Sequence, residues 1–224
     1  MTLDKVETIE INGWIIKQRF PLEGKPNFVI VMLHGWTGDE NAMWIFASRM
    51  PDNAWIISPR GLWETKFGGF GWHKPITDRW PKIEEFKPAV ISLQNLLQND
   101  NLLGSDFEQI NFVGFSQGAA LAFSYAFIHP KQVNTIVGLS GFIPEGGEAF
   151  VLQQPLLGKD IFLAHGTLDE LVPVERARQA VQILQKAGAS VTYCEDNVGH
   201  KLSASCFRGM ESFLSNRFSG PRSS

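Results

Sequence analysis

Ile110-Asn-Phe-Val-Gly-Phe-Ser-Gln-Gly-Ala-Ala-Leu-Ala-Phe123 passes from a β-branched and aromatic segment directly into an Ala- and Leu-rich one. Ile110 to Val113 predicts a buried strand and Ala119 to Phe127 predicts a helix, with only five residues between them. A turn this abrupt holds its central residue, Ser116, in a strained backbone conformation with its hydroxyl projecting from the apex. The Gly-x-Ser-x-Gly spacing, preceded by a strand and followed by a helix, predicts a nucleophile elbow.

Length and composition limit what this chain can be. Its 224 residues and 25.0 kDa allow one large α/β domain. A net charge of -3 without a basic block makes nucleic acid or an anionic membrane surface an unexpected partner. No apolar run approaches the roughly 20 residues of a membrane span, and the first residues do not resemble a signal peptide. Two cysteines, Cys194 and Cys206, are too few for a disulfide framework, so we expect a reducing, cytoplasmic location.

Strand and helix patterns alternate along the chain. Val6 to Ile11 and Trp14 to Phe20 flank Asn12-Gly13, which predicts a β-hairpin. The later segments are predicted as strands over 28–33, 54–57, 109–114, 135–139, 161–164 and 191–194, and as helices over 39–50, 83–98, 174–187 and 203–218. This order predicts a mostly parallel central sheet with helices on both faces and an antiparallel edge from the hairpin. We predict one domain over 1–224, with 219–224 as a frayed tail.

The positions of histidines and aspartates relative to the strands sort the candidate catalytic groups, because functional residues in open α/β sheets lie just beyond the carboxyl ends of the strands. His200 follows the last strand, where a general base belongs in the chain order Ser…Asp/Glu…His. For the acid, Asp169 follows the strand 161–164, and Asp196 is the alternative, although it stands only four residues before His200. We favour Asp169, because the acid must reach the far nitrogen of the base.

The other histidines have structural interpretations. His129 is expected at a helix end on the surface, whereas His34 and His165 are expected to form hydrogen bonds within their own loops. His73, in the aromatic loop 59–81, is a candidate substrate contact. Two backbone N–H groups complete the predicted site as an oxyanion hole. They belong to Gln117, directly after the serine, and to Trp36, in the loop after strand 28–33.

Several motifs together resemble the carboxylesterase/acyl-protein thioesterase family of α/β hydrolases. Leu33-His-Gly-Trp-Thr-Gly-Asp is similar to the oxyanion loop of that family, Gly114-Phe-Ser-Gln-Gly-Ala-Ala-Leu to its elbow, and His165-Gly-Thr-Leu-Asp-Glu-Leu-Val-Pro to its acid motif. Leu139-Ser-Gly-Phe-Ile-Pro and Gly199-His200 are similar to its later motifs. The resemblance implies a triad of Ser116, Asp169 and His200, and hydrolysis of carboxylic esters or thioesters without a metal or cofactor. Ala119, where the family often has Gly, and the 63–80 loop depart from the pattern.

The aromatic loop leaves the substrate open. Trp63, Phe70, Trp72 and His73 are candidates for a substrate pocket, together with Phe67 and Trp80; the alternative is that these rings anchor a long loop to the body. Neither 59–81 nor 142–158 has the amphipathic helical period of a mobile lid, so we expect short-to-medium acyl chains and no interfacial activation. A peptidase, a lactonase or a non-catalytic binding protein on the same fold remain alternatives.

Overall fold

The N-terminal hairpin forms one edge of the sheet. In the computed structural model, which describes residues 6–21, 24–100, 102–103 and 107–218, β1 (Val6–Ile11) pairs antiparallel with β2 (Trp14–Arg19). Asn12 and Gly13 between them have φ of 51° and 81°, as a type I′ turn requires. Strand β2 also pairs antiparallel with β4 (Ala54–Pro59), which joins the hairpin to the main sheet. The predicted antiparallel edge is therefore confirmed.

The remaining strands of the main sheet are parallel. The strands after the hairpin are β3 (Phe28–Leu33), β4, β5 (Trp63–Glu64), β6 (Phe70–Gly71), β7 (Ile110–Phe115), β8 (Val133–Leu139), β9 (Asp160–Gly166) and β10 (Ser190–Asp196). Their order in the sheet is β1-β2-β4-β3-β7-β8-β9-β10, and β5 and β6 form a separate antiparallel pair. The carboxyl ends of β3, β7, β8, β9 and β10 consequently meet at one edge.

Helices cover both faces of this sheet. They are α1 (Ile83–Leu97), α2 (Gln117–Ile128), α3 (Val174–Lys186) and α4 (Ala204–Phe218), with 3₁₀ helices at Ala42–Arg49, Pro130–Gln132 and Gly147–Gln153. Helices α1, α2 and α3 pack on one face, and Ala42–Arg49 and α4 pack on the other. Strand β3 is apolar on both faces. Val29, Val31 and Leu33 pack in the core beneath α1, α2 and α3, whereas Ile30 and Met32 pack in the core beneath Ala42–Arg49 and α4.

The structure changes some of the predicted boundaries. The helix expected over 39–50 is a 3₁₀ helix at Ala42–Arg49. Asp39 holds its start, because one carboxylate oxygen accepts hydrogen bonds from the N–H groups of Asn41 (2.8 Å) and Ala42 (3.2 Å). The 59–81 loop contains the short β5–β6 hairpin, and several strands extend one or two residues beyond the apolar runs that predicted them. The predicted frayed tail, 219–224, lies outside the described residues.

The expectation of two reduced thiols is wrong. Cys194 in β10 and Cys206 in α4 form a disulfide with their Cα atoms 5.6 Å apart. Two elements that the fold packs side by side bring the cysteines together, and the count of cysteines gives no sign of this proximity. The cysteine content therefore no longer supports the predicted reducing location. Within the described ranges, no helix combines the length and the apolar character needed to cross a membrane.

Candidate active site

The backbone at Ser116 is strained. Ser116 lies between the end of β7 and the start of α2 with φ 53° and ψ -116°, a conformation that non-glycine residues rarely adopt. Hydrogen bonds hold it there, since its N–H donates to Leu139 O (2.8 Å) and its carbonyl accepts from the N–H groups of Ala119 and Ala120. The serine side chain is half-buried at the carboxyl edge of the sheet. The elbow predicted from the sequence is present.

The glycines on either side of Ser116 are required by close backbone approach. A methyl group added at Gly118 would lie 2.1 Å from the carbonyl oxygen of Leu33, the last residue of β3. One added at Gly114 would lie 2.6 Å from the backbone of Ala119. Both contacts are with main chain, which cannot move aside as a flexible side chain could. The Gly-x-Ser-x-Gly spacing thus lets the turn pack directly on the neighbouring strand.

His200 and Asp169 meet at the ends of β10 and β9. The Nδ1 atom of His200 lies 2.7 Å from Oδ2 of Asp169, whose side chain is 0% exposed. The other carboxylate oxygen of Asp169 accepts hydrogen bonds from the N–H groups of Leu171 (3.0 Å) and Val172 (2.9 Å). Since a carboxylate can only accept, Nδ1 of His200 donates, and its Nε2 is left with a free lone pair. The His200 ring also contacts Phe115, which directly precedes Ser116, with ring centroids 4.9 Å apart.

Asp196, the alternative acid, has a different set of partners. One of its oxygens accepts a hydrogen bond from Ser205 Oγ and the other accepts from the N–H of Asn197 (2.8 Å). The hydrogen bond from Ser205 is the main cause that lowers the pKa of the Asp196 carboxyl. Ser203 Oγ lies 3.0 Å from Ser205 Oγ and accepts from the N–H of Cys206, so this network holds the start of α4. The structure thus brings Asp169, and not Asp196, to His200.

Of the three histidines interpreted as structural, His34 and His165 have hydrogen-bond partners close by. His34 donates from Nδ1 to Gly35 O (2.7 Å) and accepts at Nε2 from the N–H of Gly61 (2.8 Å), and burial lowers its pKa. His165 donates from Nε2 to Val172 O (2.8 Å), with the same nitrogen 3.4 Å from Oδ2 of Asp169. His129 ends α2, where burial lowers its pKa. His165 therefore packs against Asp169, a contact that strand order alone did not predict.

The loop after β3 lies against the elbow. A methyl group added at Gly35 would be 3.1 Å from the Phe115 ring and 3.4 Å from Cβ of Ser116, so the Gly35 backbone packs directly on the serine. The N–H groups of Trp36 and Gln117 donate to no protein acceptor within the residues that the structure describes. Gln117 also begins α2, whose positive dipole end points toward the elbow. These two donors are therefore free to bind an anionic oxygen.

The side chain of Gln117 ties the aromatic loop to the elbow. Its Oε1 accepts a hydrogen bond from the N–H of Trp72 (2.7 Å), and the Trp72 indole N–H donates to His34 O (2.7 Å). The Trp72 ring packs on His34 and Trp14 and is 0% exposed. The Trp72 ring is therefore enclosed by protein, which favours the alternative that it anchors the loop.

The other predicted pocket residues also have protein partners. His73 is buried between Trp36 (ring centroids 5.8 Å apart) and Phe86 (5.0 Å), donates from Nδ1 to the carbonyl of the next residue, and has its pKa lowered by burial. The Arg60 guanidinium covers the Phe70 ring at 4.8 Å. Trp63 packs partly buried against the core. These contacts favour the alternative that the loop is anchored by its aromatic rings.

An apolar cleft of 540 Å³ lies beside His200. Residues of the 3₁₀ helix Ala42–Arg49, of the start of α4 and of the loop before α4 line it, together with Trp36, Phe115 and His200. Sequence analysis missed this cleft. The signal was present in Ile45, a large apolar residue between the core residues Met43 and Phe46, but its 75% exposure is visible only in the folded structure.

The carboxyl edge of the sheet carries a hydroxyl, an imidazole, a carboxylate and two free N–H donors. Over residues 6–21, 24–100, 102–103 and 107–218, no group of three or more His, Cys, Asp or Glu side chains is arranged to hold a metal ion. The groups at the carboxyl edge are the set used in acyl transfer to a serine.

The chain belongs to the phospholipase/carboxylesterase family, whose model matches residues 21–217. It is 28% identical over 60% of its length to "Carboxylesterase SOBER1" of Arabidopsis thaliana, of which 60% is covered. It is 26% identical over 69% of its length to "Acyl-protein thioesterase 1" of Yarrowia lipolytica, of which 74% is covered. Another relative, from Oryza sativa, is described as a probable inactive carboxylesterase, and the match spans 49% of that protein.

Solved structures show the same fold. The carboxylesterase of Bacillus cereus superposes with a TM-score of 0.78 at 20% identity, over 92% of this chain and 96% of that one. The mostly parallel sheet, the covering helices and the hairpin edge are thus those of the α/β-hydrolase fold, as the sequence predicted.

Proposed function

We propose that this protein is a serine hydrolase that cleaves carboxylic ester or thioester bonds of small acyl substrates. The observation that carries the proposal is the 2.7 Å contact between His200 Nδ1 and Asp169 Oδ2. Because the other Asp169 oxygen is already occupied by two backbone N–H groups, the carboxylate orients the imidazole with Nε2 free to take a proton. Family membership supports the same class of reaction.

In the first half of the proposed reaction, Ser116 Oγ attacks the acyl carbon while its proton passes to Nε2 of His200. The carbonyl oxygen becomes an anion and accepts hydrogen bonds from the free N–H groups of Trp36 and Gln117. The bond to the alcohol or thiol then breaks, and His200 returns the proton to that leaving group. An acyl ester on Ser116 remains.

In the second half, water gives a proton to His200 and attacks the acyl ester. The same two N–H groups bind the tetrahedral anion that results. When it collapses, the carboxylic acid is released and His200 returns its proton to the Ser116 oxygen. Asp169 keeps the imidazole in one tautomer and stabilises its positive charge in both halves. These steps use side chains and backbone groups of this chain together with water.

The test uses a fluorophosphonate probe, which reacts with activated serines. The wild-type protein should be labelled, and Ser116→Ala should abolish labelling and lower kcat by roughly 10⁴-fold or more while leaving the fold intact. Ser140→Ala is the matched control, because Ser140 also has a positive φ, of 48°, at the end of the neighbouring strand but is only 1% exposed. Labelling that survives in Ser116→Ala would refute the assignment.

Peptide or lactone hydrolysis would use the same groups on a different substrate, so a panel of esters, thioesters, lactones and peptides distinguishes these activities. A wild-type protein that binds such compounds but is never labelled would instead be a non-catalytic binding protein.

A further inference from the structure

The cleft between the 3₁₀ helix Ala42–Arg49 and α4 has the composition of a hydrocarbon site. Met43, Ile45 and Phe46 line one wall, and Leu202 and Phe207 line the other. No carboxylate lines it, and the ionisable side chains in its lining are His200 and Lys201. A charged or strongly polar ligand would therefore lose hydration there with few groups to compensate, whereas an alkyl chain would not.

The position of the cleft connects it to the candidate catalytic groups. Trp36, whose N–H is a proposed oxyanion donor, and His200, the proposed base, both line it, together with Phe115 beside Ser116. The cleft is therefore next to the ring of the proposed base and to the residue that precedes Ser116. In the aromatic loop, by contrast, Trp72 is enclosed and Phe70 and His73 have protein partners.

One residue that lines the cleft is both apolar and exposed. Ile45 is 75% exposed although Met43 and Phe46 on the same short helix are buried. Phe46 and Phe207 stack across the cleft with ring centroids 6.1 Å apart, and the Arg49 guanidinium lies 5.8 Å from the centroid of the Phe207 ring, so the two walls are held in place. An apolar side chain at the mouth of a cleft with preformed walls is the arrangement expected for binding a flexible chain.

We propose that the hydrocarbon part of the substrate lies in this cleft, against Ile45, Leu202 and the contacting rings of Phe46 and Phe207. The inference rests on the proposed hydrolase function and adds to it the place where the hydrocarbon part of the substrate is bound. The hydrocarbon can belong to the acyl group or to the leaving alcohol, and the chemistry of the cleft is the same for both. Each buried methylene should raise kcat/KM by up to about fourfold, the equivalent of about 0.8 kcal/mol.

The experiment compares two variants that change equally exposed apolar residues. Ile45→Asp places a charge at the mouth of the cleft, and Phe67→Asp places one at the tip of the β5–β6 hairpin, where Phe67 is 74% exposed. Both side chains are on the surface, so both variants should fold. Each is assayed on nitrophenyl esters of increasing acyl length and, separately, on acetate esters of increasing alcohol length.

For Ile45→Asp we expect the gain per methylene to fall from about fourfold toward onefold in one of the two series. Phe67→Asp should keep the wild-type gain in both series. The series that responds identifies the moiety in the cleft. The proposal would be refuted if only Phe67→Asp lost the gain per methylene, or if neither variant lost it.

The outcome is separable from that of the proposed function. A wild-type protein that is labelled by fluorophosphonate and hydrolyses short esters, yet shows no gain with chain length in either series, would refute the hydrocarbon site and leave the function standing. A wild-type protein that neither reacts with the probe nor hydrolyses any ester would refute both.

Discussion

Replacing Asp169 with Asn tests the proposed triad by reversing one hydrogen bond. The oxygen that accepts from the N–H groups of Leu171 and Val172 must remain an acceptor, so the Asn amide would keep its carbonyl oxygen there. Its NH₂ group would then take the place of Oδ2, 2.7 Å from Nδ1 of His200. A donor at that place makes Nδ1 accept, so the proton moves to Nε2 and the base can no longer take a proton from Ser116.

The expected loss follows from this change of tautomer. The same substitution at the acid of a serine protease triad lowers kcat by about 10⁴-fold with the geometry intact, which corresponds to about 5 kcal/mol of transition-state stabilisation. The side chain of Asp169 is 0% exposed, so water cannot restore the missing acceptor. We therefore expect a loss on the order of 10³–10⁴ in kcat for Asp169→Asn.

Asp196→Asn is the matched control, because it makes the same chemical change at the end of the neighbouring strand. Asn can still accept from the N–H of Asn197 and can donate to Ser205, whose hydroxyl is able to reverse. Its kcat should stay within about tenfold of wild type. Both variants are assayed on a soluble short-chain ester, with circular dichroism as the check on folding. A larger loss in Asp196→Asn than in Asp169→Asn would show that the wrong carboxylate has been assigned.

Two further predictions concern stability. Replacing both Cys194 and Cys206 by Ala removes a disulfide between residues twelve positions apart in the chain. The free energy of unfolding, measured by urea titration, should fall by about 3 kcal/mol. Equal urea midpoints for the variant and the oxidised wild type would contradict the disulfide. Arg79 lowers the pKa of Glu85 to about 2 from 4.5, so this pair stabilises the protein above pH 4.5 and the contribution is lost as the pH falls toward 2. Because both side chains are partly exposed, Glu85→Gln should cost no more than about 1 kcal/mol at neutral pH, and its thermal midpoint should converge with that of wild type in acid; a constant difference at every pH would contradict it.

Local features of the sequence were sufficient for much of the candidate site. The strand, the glycines and the serine of the elbow are consecutive, so their pattern predicted the turn around Ser116 before any long-range contact was known. The carboxyl ends of parallel strands share one edge, so the chain positions of Asp169 and His200 predicted that they lie near that serine. The preference for Asp169 over Asp196 followed from the need for the acid to reach the far nitrogen of the base, and the hydrogen bonds of the two carboxylates agree with it.

The substrate side could not be predicted in this way. Trp72 and Ile45 illustrate the reason: both are large apolar residues in loops or short helices near the site, yet one is enclosed and the other is mostly exposed. The difference comes from partners far away in sequence, since Trp14, His34 and Gln117 surround Trp72. Composition counts aromatic rings but does not show which of them already have neighbours.

The sequence by itself determined the order of strands and helices, the elbow and the chain order of the candidate triad, because each depends on neighbouring residues or on the regular geometry of a parallel sheet. Only the tertiary structure decided that Cys194 pairs with Cys206, that Trp72 is an anchor, and that the open apolar cleft lies between Ala42–Arg49 and α4. The physical reason is that exposure and pairing are set by which elements pack together. In this chain β10 and α4 meet through contacts that no local pattern specifies.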